Sequence, residues 1–177
     1  MEREIEVKVL DIDIKAMEEK IINSGGEKIS DEMQRTIVIN SDLHPIPDEI
    51  GYLRLREVER DGEIERVCTF KEKKANTSVR VYDEHTVVID DMDEMLKVFK
   101  LLGYDRSSLG EKHRVSYRFK KCRLDLDTWD EKTYPDPYME IEGESLEAIE
   151  GVIRALSIDP EQVSTLSIRE LQKLKNK

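Results

Sequence analysis

Cysteine is scarce: Cys68 and Cys122 are the two in 177 residues. Two thiols make neither a disulfide framework nor a cysteine-built metal cluster, and both fall in apparent strands, where burial is the expectation. No apolar run approaches the roughly 20 residues of a membrane span, and the N-terminus enters a charged strand at once, without a signal-peptide hydrophobic region. These absences read as a cytoplasmic chain. An excess of basic residues is also missing, since 29 Lys and Arg stand against 40 Asp and Glu for a formal charge of −11. That balance argues against a general nucleic-acid binder, which carries a broad basic footprint, but it leaves room for a local basic pocket. There is no internal repeat, no low-complexity segment and no linker, so residues 1–177 read as a single domain.

What is present is charge in register. The chain is 39% charged and 38% hydrophobic, polar but globular. Residues 2–9, "EREIEVKV", alternate strictly and predict a strand. From Asp11 the period changes: Ile14, Met17 and Ile21 form one stripe, and Gly25-Gly26 stops the helix. Residues 33–39 read as a second strand and "NSDLHPIPDEIG" as a loop. "YLRLREVE" and "EIERVCTFKEKK" meet at Asp61-Gly62, the strongest short-range hairpin signal. Residues 79–89 predict a fifth strand. Asp91 then caps a helix with Met95, Phe99 and Leu102 that ends at Gly103. Strands around 112–119, 122–129 and 138–142 follow. The closing segment is helical, with Leu146, Ile149, Ile153 and Leu156 on one face. Ser167 with Glu170 makes a capping box for a last short helix, and the charged tail after Leu171 reads as a solvated end. The fold class is α+β, with about eight mostly antiparallel strands and three or more helices.

Period-two parity assigns the charges to faces. Glu4, Glu6 and Lys8 share one; Arg54 and Arg56 oppose Leu53 and Leu55; Lys71 and Lys73 oppose Phe70; Arg80, Tyr82 and Glu84 line up. Lys112, Arg114 and Arg118 share a face, as do Arg123, Asp125 and Asp127, and Glu140 with Glu142 opposes Met139 and Ile141. Any one of these sets suits an ordinary solvated face. Together, with amphipathic helices to cover the apolar faces, they suit a sheet curled so that the charges line a cavity. An open sheet with one wet face has the same parity; closure is preferred because it removes exposed edges.

Charges facing a low-dielectric interior need a ligand or much water. Arg54, Arg56, Lys71, Arg80, Lys112 and Arg114 suit several phosphoryl groups, arginine offering bidentate contacts. Glu4, Glu6, Asp127, Glu140 and Glu142 suit a hard divalent cation whose other ligands are substrate phosphates. The two sets together point to a polyphosphate with a metal.

At these residues the sequence resembles the CYTH superfamily, the triphosphate tunnel metalloenzymes, which include class IV adenylyl cyclases, thiamine triphosphatases and inorganic triphosphatases. "EIEVK" matches the family's ExExK signature. It is followed in order by "LRLR", "TFK", a strand starting with arginine, a "KxR" pair, "LDTW" and "MEIEG", so the resemblance runs from Glu4 to about Glu144. It implies an eight-stranded antiparallel closed β-barrel, a triphosphate tunnel, with helices outside, and Mg²⁺ or Mn²⁺ held by glutamates. The implied metal residues are Glu4, Glu6, Asp127, Glu140 and Glu142. The implied phosphate-binding residues are Lys8, Arg54, Arg56, Lys71, Lys73, Arg80, Lys112 and Arg114. Glu4, Glu6, Lys8, Arg56, Glu140 and Glu142 are the implied catalytic set.

The sequence departs from the family pattern at Tyr82, where a glutamate is common; Glu84 on the same face is the candidate replacement. The approach "DTWDEKTYPDPYMEIEG" looks more like the phosphatase-type members than the cyclases. His113 points away from the tunnel by parity, and Trp129 or Tyr134 either stacks on an organic group or packs the barrel's outside. The expected reaction is metal-dependent hydrolysis of inorganic triphosphate or of an organic or nucleoside triphosphate such as thiamine triphosphate or ATP. Cyclisation of ATP to cyclic AMP and pyrophosphate is the alternative, and a non-catalytic polyphosphate- or nucleotide-binding module the other. The expected partner is a triphosphate-bearing small molecule, with no nucleic acid or membrane; a homodimer is compatible with this reading.

Overall fold

The computed structural model describes residues 2–76 and 80–175, with the side chains of residues 2–4 and 75–76 outside that description. On the first strand, β1 (Glu2–Val9), neither face is open to bulk water. Val7 and Val9 are 2% and 0% exposed on one side, and Glu6 and Lys8 are 7% and 2% exposed on the other. The charged side faces an interior because the sheet closes on itself. Chain order continues as α1 (Ile14–Asn23), β2 (Glu27–Asn40), β3 (Gly51–Arg60), β4 (Glu63–Asn76), β5 (Arg80–Val88) and α2 (Met92–Leu101). It then runs β6 (Arg106–Phe119), β7 (Cys122–Trp129), β8 (Tyr138–Gly143), α3 (Leu146–Ala155), β9 (Val163–Ser164) and α4 (Ile168–Lys175).

The strands lie in the order β5-β4-β3-β2-β6-β7-β8-β1, and β1 pairs back onto β5, closing an eight-stranded antiparallel barrel. The two-residue β9 adds to the far half of β1, with Ser164 opposite Lys8. The Asp61-Gly62 hairpin forms as predicted: both residues take positive φ, 54° and 81°, the geometry whose twist matches flanking strands.

Outward side chains build two apolar layers. Val7, Val9, Leu124, Leu126, Met139 and Ile141 pack under Met17 and Ile21 of α1 and Ile149 and Val152 of α3. Ile37, Ile39 and Leu55 pack under Met92 of α2, with Met95, Leu96 and Phe99 beside them. Each such fully buried aliphatic side chain is worth about 1.5–3 kcal/mol, so the helices hold the barrel from outside and leave its interior to polar groups. Side-chain caps start each helix; Asp13, for example, accepts from the Ala16 N–H at 2.8 Å.

Several expectations shift. β2 and β6 are each 14 residues, far longer than 33–39 and 112–119, because each extension pairs with the other strand's predicted half, from Asn40–Arg106 to Glu27–Arg118 with a register shift between Lys28 and Ser30. The inner stripe of α3 runs through Val152, and Leu146 is 37% exposed. Leu102 follows the end of α2 and is exposed. Glu170 and Ser167 form the expected reciprocal capping box. The segment after Leu171 is exposed at 173–175 as expected, but it is helical, since α4 continues to Lys175, and Gln172 donates to the Thr133 carbonyl. Among the described residues no helix is long and apolar enough to cross a membrane.

A charged tunnel as candidate active site

The barrel encloses a cavity of about 700 Å³, lined by inward residues of β1 to β8 and, at one end, by α4. α4 is held there by Leu171, packed with Tyr134 and Tyr138, and by ion pairs from Arg169 (3.7 Å) and Lys173 (3.4 Å) to Asp48 in the loop before β3. That loop ends at Gly51, where a Cβ would come within 1.9 Å of the Lys71 carbonyl oxygen. Only glycine lets β3 start this close to β4.

On the wall formed by β6, β7, β8 and β1, bases and acids alternate. Arg114 donates from Nε and Nη2 to both oxygens of Asp127, each at 2.7 Å, and reaches Asp125 and Glu140 at 2.6 Å. Lys112 donates to Asp127 at 2.6 Å, and Lys8 to Glu140 at 2.6 Å. Glu6 receives Arg80 of β5 at 2.9 Å and lies 3.7 Å from Lys8. Burial opposes ionisation of Glu140, but Lys8 and then Arg114 outweigh it and hold the carboxyl well below the usual range. Asp127, 0% exposed, is likewise held down against burial by Arg114 and Lys112. Burial, reinforced by Arg114, pushes the Lys112 ammonium down to about 7.

On the wall formed by β2, β3, β4 and β5, cations prevail. Glu84 pairs with Lys71 and, at 3.5 Å, with Arg54. It thereby supplies an acid on the face where Tyr82 stands, while the Tyr82 hydroxyl accepts from Arg80 at 2.8 Å. Arg56 donates to Thr36 Oγ1 at 3.2 Å and meets no carboxylate within ion-pairing distance among the described residues. Burial, then the neighbouring Arg54 and Arg114, lowers its guanidinium to about 9. The Nε of Arg54 is buried and meets no acceptor among the described residues. Tyr52 reports the same field: burial raises a phenol's pKa, yet Lys71, Arg54 and Arg80 bring this one down. The wall is a preformed site for an anion.

The structure thus brings Glu6, Lys8, Arg54, Arg56, Lys71, Lys73, Arg80, Lys112, Arg114, Glu140 and Glu142 onto one cavity. Asp127 sits directly behind it, against Lys112 and Arg114. The side chain of Glu4 lies outside the described residues, although its backbone pairs with Tyr82. Arg118 keeps the parity of Arg114 but is exposed beyond the tunnel's end. His113 is exposed and 2.6 Å from Asp31, on the outer face as expected. Trp129 lines the cavity with Lys112 5.0 Å from its ring, whereas Tyr134 packs beside Tyr138 and Leu171. Sequence reading missed Tyr52, Glu32, Gln34 and Thr36 as lining residues. Tyr52 was reachable by parity with Arg54, and Gln34 and Thr36 by parity within the predicted strand 33–39; Glu32 was not, because it precedes that strand where no apolar alternation marks the chain.

Searches among known proteins meet this geometry. No curated protein matches the chain. Among solved structures, the PH1819 protein of Pyrococcus horikoshii superposes with a TM-score of 0.82 at 22% identity, over 97% of this chain and 99% of its own. A proposed adenylate cyclase from Vibrio parahaemolyticus gives 0.75 at 14%, over 96% and 97%. HpAC1 of Hippeastrum, a proposed adenylyl cyclase described as having a dominant triphosphatase activity, gives 0.67 at 13%, over 99% and 96%. At these identities the likeness is one of fold. The CYTH domain model matches residues 2–167, nearly the whole barrel and its closing segment, and the chain belongs to the CYTH family.

Proposed function

We propose that this protein hydrolyses a terminal phosphoanhydride of a triphosphate inside the tunnel, with Mg²⁺ or Mn²⁺ as cofactor. The observation that carries the reading is the cationic wall: among the described residues Arg56 meets no carboxylate and Arg54 Nε no acceptor, and both line the cavity. Buried cations of this kind stay costly until an anion reaches them.

In this reading Arg54, Arg56, Lys71 and Lys73 grip the phosphates, with Arg80, Lys8, Lys112 and Arg114 completing the ring of donors. Asp127 and Glu140, both already engaged by cations, hold Lys8, Lys112 and Arg114 in place. Glu6 and Glu142 are the carboxylates suited to the cation: they are direct cross-strand partners on β1 and β8, and both line the cavity. Glu4 is proposed with them, its side chain lying outside the described residues. Among the described residues no three His, Cys, Asp or Glu side chains converge as a protein-only metal centre. Two carboxylates with substrate phosphates supplying the remaining oxygens is a set that suits Mg²⁺. Once bound, the ion would neutralise phosphate charge and draw electron density from the anhydride. Water oriented by a tunnel carboxylate attacks the terminal phosphorus, the anhydride P–O bond breaks, and the guanidinium groups stabilise the charge that moves to the departing and equatorial oxygens.

The test is parallel product release from inorganic triphosphate, ATP and thiamine triphosphate with Mg²⁺ and Mn²⁺, phosphate and cyclic AMP being quantified separately. Phosphate with little cyclic AMP is expected. Cyclic AMP with pyrophosphate from ATP would replace hydrolysis by cyclisation, and tight binding without turnover in either metal would leave a binding module.

A further inference from the structure

We propose that Gln34, with Glu32, forms a subsite for an O–H or N–H donor on the non-phosphate part of an organic triphosphate, and so selects such substrates over inorganic triphosphate. This rests on the triphosphate reading above and deepens it. Both residues face the cavity from β2 and are only 3% and 6% exposed. The Gln34 Nε2 donates to Glu32 Oε1 at 2.5 Å. An ionised carboxylate can only accept, so the amide must present its nitrogen there and turn its oxygen away. That oxygen, Gln34 Oε1, is buried and meets no donor among the described residues. Lys112, opposite it on β6, donates to Asp127 instead.

A buried carbonyl oxygen left without a donor forfeits the hydrogen bond it had to water in the unfolded chain. Phosphate cannot relieve it, because ionised phosphate oxygens only accept, and Glu32 repels them as well. The other buried polar atom without a partner among the described residues, Arg54 Nε, makes the opposite demand, since it needs an acceptor. Arg54 lies opposite Val38, and Gln34 is four residues earlier on β2, so the two demands are separated by about 13 Å along the strand. Arg56 lies between them, opposite Thr36. The order of groups therefore fits a molecule with acceptors at one end and a donor at the other. A cavity of about 700 Å³ is also within the size range of sites for whole organic ligands. Trp129, on the far side of Lys112 in the same ladder, offers an aromatic face to such a group.

The experiment compares kcat/KM for ATP, 2′,3′-dideoxy-ATP, thiamine triphosphate and inorganic triphosphate in the native protein and in Gln34→Met. In the native protein at least one hydroxyl- or amine-bearing substrate should exceed inorganic triphosphate by about tenfold, and Gln34→Met should lower that ratio by roughly 10- to 100-fold. Loss of the advantage in dideoxy-ATP assigns the donor to a sugar hydroxyl; retention there, or preference for thiamine triphosphate, assigns it to an amine. Should Gln34→Met fail to fold, the substrate comparison in the native protein still decides. Inorganic triphosphate used as well as or better than every organic one, or a ratio unmoved by the substitution, overturns the subsite while leaving triphosphate hydrolysis standing. Absence of binding by any triphosphate overturns both.

Discussion

The two walls of the tunnel use the same residue types to opposite ends. Across β6, β7, β8 and β1, Lys8, Lys112 and Arg114 are matched by Asp125, Asp127 and Glu140, with bonds of 2.6–2.7 Å along the network, and Glu6 receives Arg80 of β5 at 2.9 Å. Across β2 to β5, Glu84 answers Lys71 and Arg54, and Arg56 has a hydroxyl as its side-chain partner. A buried charge is tolerable when its counter-charge is covalently part of the fold, and becomes a binding site when it is not. One wall is therefore scaffold as well as site, and the other is complete only with an anion.

The sharpest way to break this contrast is on the matched wall. Asp127→Asn removes the carboxylate that Lys112 bonds and one of the three that Arg114 bonds, in a fully buried position, and should destabilise the protein by about 3–5 kcal/mol in urea unfolding. A loss under 1 kcal/mol would mean that the network does not support the barrel. On the open wall, Arg56→Ala should do the reverse. Triphosphate kcat/KM should fall by roughly 10²- to 10³-fold, while the urea midpoint holds or rises, since a half-buried cation that meets no carboxylate among the described residues has gone; unchanged kinetics would place Arg56 outside the site.

A subtler difference lies in pH. Burial and Arg114 depress the Lys112 ammonium to about 7 from an ordinary 10.5. The unfolded chain therefore binds the extra proton between these values, and native stability from this group rises with pH across that window. Below about 7 the full cost of the buried ammonium is present; above 10.5 the contribution is flat. Lys112→Met should flatten the rise of the urea midpoint between pH 7 and 10, and an unchanged slope would mean that Lys112 is charged throughout.

Much of this was legible in the strand alternation. The parity of "EIEVK", "LRLR" and "MEIEG" placed Glu6, Lys8, Arg54, Arg56, Glu140 and Glu142 on one face, and the structure keeps them there. Asp61-Gly62 and the caps Asp91 and Ser167 are local signals, and each forms where expected. The β2 and β6 extensions were not legible, because "EKISDE" and "RSSLGE" have no apolar period and become strands only by pairing, the first with 114–118 of β6 and the second with 35–40 of β2. Glu32 was lost with them, whereas Gln34 lies inside the predicted strand and, being uncharged, gave no signal in the parity of charges. The fate of the tail was hidden for a related reason: Gln172 matters through a carbonyl in a loop 39 residues away in sequence.

The sequence by itself determined which charges share a face, because side-chain direction along a strand is a local, two-residue property. The tertiary structure alone decided that this face is an interior, which acids neutralise which bases, and that Arg54 Nε and Gln34 Oε1 meet no partner, and Arg56 no carboxylate, among the described residues. Those outcomes depend on closing β1 onto β5 and on distances between strands remote in the chain, and no local pattern contains them.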